Sequence, residues 1–124
     1  KNQREDYLKS VEKEMVGLSL EIASKVIQQK IEQDEKVILK NLKHALKHLL
    51  DKGRIIIRLN PADLEIVSKH SKEIKSAEGL KELILEEDSK VTRGGCLIHS
   101  ELGHIDAQIE TQLEMIGKAL LEIN

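Results

Sequence analysis

The sequence predicts an α+β domain: a small, mostly antiparallel sheet of three or four strands covered by helices, with a long N-terminal stalk helix. Three observations predict it. Residues 1–52 contain no proline and one glycine, Gly17, and their apolar residues recur at helical spacing. The middle of the chain changes to short β-branched or alternating runs bounded by Gly, Pro and Asn. The last segment returns to helical spacing. The division that follows is 1–31 as a stalk or dimerisation helix and 32–124 as a globular α+β domain.

In the first helix Leu8, Val11, Met15, Leu18 and Ile22 are spaced 3, 4, 3 and 4, the a/d seam of a coiled coil for about two heptads. After Ile22 the seam position falls on Lys25, while Val16, Leu20, Ala23, Ile27 and Ile31 form a second stripe on another face. A helix with two apolar stripes needs two things to pack against. Either both stripes enter one intramolecular core, or the N-terminal one meets a partner. Residues 3 to 31 would span roughly 43 Å at helical rise, longer than a small sheet covers.

Asp34 and Glu35 stand where a second helix begins, and Ile38, Leu42, Ala45 and Leu49 carry it towards Gly53, read as a left-handed stop. Arg54–Leu59, with three consecutive isoleucines, reads as a strand covered on both faces. Asn60-Pro61-Ala62-Asp63 places a cap residue, Pro at the first helical position and an acid in the first turn of a short helix reaching about His70. Between Ser71 and Gly79 the pattern is weak. Glu82–Glu86 alternates as a second strand, and Gly94-Gly95 turns into a third, Cys96–His99. The eight residues between them suit an antiparallel return. A short fourth strand at His104–Asp106 follows Gly103. In the last helix Ile109, Leu113, Ile116 and Leu120 share a face that Met115 and Ala119 widen.

Composition narrows function. With 20 basic and 22 acidic residues and one aromatic ring, Tyr7, neither a phosphate-binding field nor base stacking is available, so nucleic acid is not an expected partner. No apolar run approaches the length of a membrane span, so no membrane insertion is expected. Cys96 is the single cysteine, which excludes an intrachain disulfide and fits a reducing cytoplasm. The chain opens at Lys1 directly in helix-favouring sequence and reads as a fragment of something longer.

The reactive groups do not assemble into a catalytic pattern. Cys96 sits in an apolar strand, where a buried thiol is the ordinary case. His44 and His48 are four apart on a helix, a spacing that can bind metal, but they lie among Lys40, Lys43 and Lys47 without the glutamate of a zinc-protease motif. His99 and His104 flank the Glu101-Leu102-Gly103 turn and could approach each other, with no acid or cysteine at diagnostic spacing. Arg93-Gly94-Gly95 lacks the Gly-Lys-Ser/Thr signature of a phosphate loop and is better read as a turn needing positive φ. Glu86, Glu87 and Asp88 fit edge protection, and Ser100 lacks the elbow glycines of a hydrolase. No enzyme, metal or cofactor is expected. From Leu97 onward one base, Lys118, stands against five acids, so the last helix is acidic. That suits a basic partner surface or an ordinary solvated face.

Three segments carry a resemblance: Gly94-Gly95-Cys96-Leu97-Ile98; Gly103-His104-Ile105-Asp106-Ala107 followed by Glu110-Thr111-Gln112-Leu113; and Ile55-Ile56-Ile57-Arg58-Leu59-Asn60-Pro61-Ala62-Asp63-Leu64. With the acid-ended strand Leu83–Asp88 they resemble the C-terminal domain of the FliH flagellar assembly family, over about Ser19 to Leu121. That family is similar to the injectisome stator proteins and, more remotely, to the peripheral-stalk E subunits of vacuolar-type rotary ATPases. The resemblance implies a non-catalytic homodimer whose N-terminal helices form a stalk and whose C-terminal domains hold the N-terminal region of the flagellar export ATPase, FliI. It further implies restraint of ATP hydrolysis, delivery of the ATPase to the export gate, and a place at the cytoplasmic face of the export apparatus. The N-terminal segment that contacts the gate and rotor ring is not recognisable here. Together the two readings nominate Leu8, Val11, Met15, Leu18 and Ile22 as the dimer seam, and Ile105, Gln112, Met115 and Ala119 for the ATPase, with core packing the alternative for Met115 and Ala119.

Overall fold

The computed structural model describes residues 2–122, so Lys1 and residues 123–124, the outer ends of the two predicted segments, lie outside the described residues. Helix α1 runs Gln3–Gln33. The Asn2 side chain accepts the Glu5 N–H at 2.9 Å, Glu5 and Asp6 stand in its first turn, and Lys30 stands in its last, each favourable with the helix dipole. Asp34 closes α1 and opens the next helix: its backbone N–H reaches Lys30 O at 2.9 Å, and its carboxylate accepts the Lys36 N–H at 2.9 Å and pairs with Lys30 at 3.3 Å. That backbone hydrogen bond, with Lys30 beside it, holds the carboxyl below its ordinary value.

Helix α2, Lys36–Leu46, buries Ile38, Leu42, Ala45 and Leu46. It ends short of the predicted stop. The chain tightens through three-residue turns, His48 N–H to Ala45 O and Leu49 N–H to Leu46 O, both at 3.1 Å. Gly53 has no left-handed conformation; its N–H is taken by the Asp51 carboxylate at 2.9 Å instead.

Strand β1 (Arg54–Leu59), helices α3 (Pro61–Ser68) and α4 (Ser71–Ala77), and strand β2 (Glu82–Glu87) form a β-α-α-β crossover that makes β2 parallel to β1. Asn60 caps α3, its side chain accepting the Ala62 N–H at 3.0 Å, with Pro61 in the first turn as expected. Helix α4 was not expected from the sequence. Only Ile74 of it is buried, so no stripe marks it. Strands β3 (Cys96–Ser100) and β4 (Gly103–Asp106) follow, then α5 (Ile109–Glu122).

The sheet order is β2-β1-β3-β4, with β3 antiparallel to both of its neighbours. Two of three pairings are therefore antiparallel. β2 and β3 run in opposite directions, but the direct return between them does not occur because β1 lies between. The expectation of a β1 covered on both faces also fails. Ile55, Ile57 and Leu59 are buried, while Ile56 is half-exposed and the two arginines are exposed. One aliphatic core joins Ile38, Leu42, Leu46 and Leu49 to Ile55, Ile57, Leu59, Ile66, Val67, Ile74, Cys96 and Ile98. The other sheet face carries the register row Ile84–Ile56–His99–His104, flanked by the ion pairs Arg54–Glu82 and Arg58–Glu86.

Candidate protein-interaction surfaces

The two stripes of α1 have different fates. Val16, Leu20, Ala23 and Ile27 are half-buried and Ile31 is buried. Their partner is α5, which runs antiparallel to α1. Ile31 lies with Ile109 against Gly94, and Val16 and Leu20 meet Gly117 about two turns further along α5. Gly117 matters because it has no side chain. A Cβ there would stand 2.6 Å from Leu20 Cδ1, the far end of a flexible side chain, and 3.8 Å from Val16 Cγ1, so a side chain larger than alanine would have to displace α1. The first stripe is not covered by any of the described residues. Leu8, Met15, Leu18 and Ile22 are 51–64% exposed and Val11 is half-exposed, all on one face. The five predicted seam residues are thus brought together on one uncovered face.

What fixes this helix pair to the sheet is a polar network around the β2–β3 connection, buried at Asp63 and reaching the surface at Thr92 and Asp106. Asp63, fully buried, accepts the Gly94 N–H at 2.7 Å and is paired with Arg93 Nε at 3.2 Å. Asn41 of α2 donates to Gly94 O at 2.7 Å and Ala107 O at 3.0 Å. Asn60 donates to Val91 O at 3.1 Å, and Gln112 to Ala107 O at 3.0 Å. At the start of α5, Asp106 accepts from the Gln108 N–H at 3.0 Å and from Thr111 Oγ1 at 2.9 Å, and Glu110 accepts from Thr92 Oγ1 at 2.7 Å. Gly94 has φ 92°, the positive-φ turn expected at Arg93-Gly94-Gly95, and a Cβ on Gly95 would meet Gln108 Cα at 2.7 Å. Many residues of the motif segments are thus engaged with one another, although Arg58, His104 and Glu110 of the same segments are exposed.

Sequence reasoning placed Asp63 only as a first-turn acid and missed Asn41 altogether. The signal was available in Asn41, a polar residue three after Ile38 and four before Ala45, beside an apolar stripe.

Helix α5 divides along a different line from the one predicted. The side facing α1 uses Gly117, so Ile116 and Leu120, expected with Ile109 and Leu113 on the packed face, stand 52% and 44% exposed. Of the residues nominated for the ATPase, Met115 is 65% exposed and Ala119 is exposed, so neither is core. Ile105 packs partly buried against the core, and Gln112 is engaged with Ala107 and Asn41. Gln112, Met115 and Ala119 share one face of α5 at helical spacing, while Ile105 lies on β4. Met115, Ala119, Ile116 and Leu120 are the outward ones.

Cys96 is buried, and desolvation, with Asp63 and Asp106 adding negative charge, pushes its thiol up to about 12. A neutral thiol of that kind is no nucleophile at neutral pH. His44 and His48 are exposed, with rings 5.1 Å apart. No group of three or more His, Cys, Asp or Glu side chains is placed to share a metal among the described residues. No described helix is long and apolar enough to cross a membrane.

Comparison with known proteins adds a family. The family model described as "Flagellar assembly protein FliH" matches residues 1–116. The chain is similar to the flagellar assembly protein FliH of Borreliella burgdorferi, 36% identical over 115 residues, which is 92% of this chain and 38% of that protein. It is 30% identical to the probable flagellar assembly protein FliH of Bacillus subtilis, over 94% of this chain and 56% of that protein. It is also 24% identical to a type 3 secretion system stator protein of Yersinia enterocolitica, over 95% of this chain and 52% of that protein. The chain spans about half or less of the length of these relatives.

Proposed function

This chain belongs to the FliH family of flagellar assembly proteins, and from that premise we propose that it acts as a non-catalytic stator and regulator of the flagellar export ATPase, FliI. Two copies pair through the N-terminal helices. The globular parts hold the N-terminal region of the ATPase, restrain its hydrolysis of ATP, and help deliver it to the export gate at the cytoplasmic face of the apparatus. The observation that carries this reading is the division of α1 into a stripe covered by α5 and a stripe of Leu8, Val11, Met15, Leu18 and Ile22 left bare at heptad spacing. Five such residues on each helix offer apolar burial of about 1.5–3 kcal/mol for each side chain fully covered. Association costs several kcal/mol in lost freedom, so the pairing is weak to moderate and dependent on concentration.

A fixed helix pair suits a stator. Because α1 is fastened at Ile31 and again at Val16 and Leu20, its direction is set by the globular part. The exposed Met115, Ile116 and Leu120 on an acidic helix are the apolar surface we assign to the ATPase. The stronger identity to flagellar relatives than to injectisome stators supports the flagellar reading over the injectisome one. The injectisome reading is the second.

Sedimentation of the wild type and of Met15→Lys/Leu18→Lys across a concentration series tests the pairing. The wild type is expected to dimerise and the variant to stay monomeric with unchanged helix content; a wild type monomeric throughout refutes the seam. Capture of purified flagellar export ATPase, compared with a rotary-ATPase head subunit, tests the partner. Capture of the rotary head alone refutes the flagellar assignment.

A further inference from the structure

The outer row of the sheet ends in two histidines. His99 and His104 are register partners on adjacent antiparallel strands, so their side chains leave the same face of the sheet. Their ring centroids lie 5.9 Å apart, with planes tilted by 32°. His99 Nε2 is shut off from solvent and has no hydrogen-bond partner, the one such buried side-chain nitrogen or oxygen among the described residues. A ring nitrogen so placed lacks the partner that buried polar groups ordinarily have.

We propose that His99 and His104 form a binding site for a divalent transition metal that favours imidazole, Cu²⁺, Ni²⁺ or Zn²⁺, clipping the edge strand β4 to β3. Metal–imidazole bonds are about 2.0–2.1 Å, so two rings sharing one ion carry their centroids about 5 to 6.5 Å apart, the spacing seen here. Among the described residues no third His, Cys, Asp or Glu is placed to join them, so water reaching the ion from the exposed His104 side completes the coordination. The depression beside His99 that is lined by Arg54, Ile56, Ser100 and Glu101 does not include His104, and the Arg54 guanidinium there is engaged by Glu82 at 3.4 Å.

The other histidine pair is the internal comparison. His44 and His48 are closer, yet both are exposed, His48 Nδ1 is already engaged with His44 O at 3.0 Å, and Lys40, Lys43 and Lys47 surround them with positive charge. That field opposes a cation.

Calorimetric titration of the whole chain with Cu²⁺, Ni²⁺, Zn²⁺ and Mg²⁺ decides. Expected is one equivalent of metal, bound most tightly as Cu²⁺ and undetectably as Mg²⁺, in keeping with imidazole ligands. His104 is exposed, so His104→Gln folds normally; it is expected to weaken Zn²⁺ binding at least about tenfold and to abolish the rise in Tm that Zn²⁺ gives the wild type. His99→Gln is expected to do the same, and His44→Gln/His48→Gln to leave both readouts unchanged. The proposal is overturned if His104→Gln binds Zn²⁺ as the wild type does, if the loss follows the His44/His48 variant, or if Mg²⁺ binds as well as Zn²⁺.

Discussion

Replacing Asp63 by alanine is expected to destabilise the domain by about 2–4 kcal/mol, and the figure follows from what the carboxylate touches. It accepts the buried Gly94 N–H at 2.7 Å; without it that donor is left unsatisfied, at about 1–3 kcal/mol. Its ion pair with Arg93 is weaker than a fully buried one because the arginine side chain is 35% exposed and can be rehydrated, so about 1 kcal/mol is assigned to that loss. Against a total stability of about 5–15 kcal/mol the variant folds, but with Tm lowered by about 10 °C. Asp63→Asn separates the two effects. Its amide oxygen can still accept from Gly94, while the charge opposite Arg93 is gone, so a loss of about 1–2 kcal/mol is expected. Urea unfolding at constant m gives both values, and a cycle with Arg93→Ala gives the coupling between the two side chains. If Asp63→Ala costs less than about 1 kcal/mol, or if alanine and asparagine are equivalent, the carboxylate does not fasten the Gly94 turn and the account of the network is wrong.

Three further outcomes are expected. Ile57→Ala should cost about 2–5 kcal/mol in urea unfolding, as a deletion in a closed core, whereas Ile56→Thr on the open sheet face should stay within about 1 kcal/mol; equal losses would mean that the outer face is covered. Gly117→Leu should cost about 1–3 kcal/mol by forcing α5 away from Leu20 and Val16, while Gly117→Ala, which gains helix propensity and meets only the mobile end of Leu20, should be nearly neutral; a fully tolerated leucine would show that the helices are not in close contact there. Cys96 should make stability fall with rising pH. Its folded pKa of about 12 lies above the ordinary 9.0, so below about pH 9 both states keep the proton; above it the unfolded chain ionises first and gains free energy. The expected loss from this group is about 1 kcal/mol between about pH 8.5 and pH 10, absent in Cys96→Ala. Parallel curves for the two proteins would contradict a buried neutral thiol.

The sequence made legible whatever periodicity expresses. The two stripes of α1 could be separated because one keeps heptad spacing and the other drifts away from it, and they are the two faces that the structure treats differently. Asn60-Pro61 marked the start of α3 for a local reason, capping. The misses share a cause: each was decided by a distant residue. Helix α4 holds the core through Ile74 alone. Ile56 looked like a core residue because its neighbours on both sides are isoleucines, yet pairing with Ile84 and His99 places it in an outer row. Ile116 and Leu120 yielded the packed side of α5 to a glycine, which no hydrophobic pattern counts. The strand order followed from the α3–α4 crossover, which brings β2 back beside β1 and leaves β3 the other edge.

Much of what carries the family resemblance is engaged within the fold, and this bears on where partner specificity lies. Asn60, Asp63, Gly94, Gly95, Ala107, Asp106, Thr111 and Gln112 spend their polar groups or their lack of a side chain on one another and on Asn41 and Ile31. They fix how α1 leaves the sheet and where α5 lies beside it, and none is free to recognise a partner without giving up a bond it already makes. The partner surface proposed above therefore rests on the outward residues of α1 and α5, whose side chains are constrained by neither core nor network. On the reading proposed above, partner choice lies in exposed residues such as Met115 and Ile116, which stand outside the motif segments, rather than in the glycines and acids that make the family recognisable.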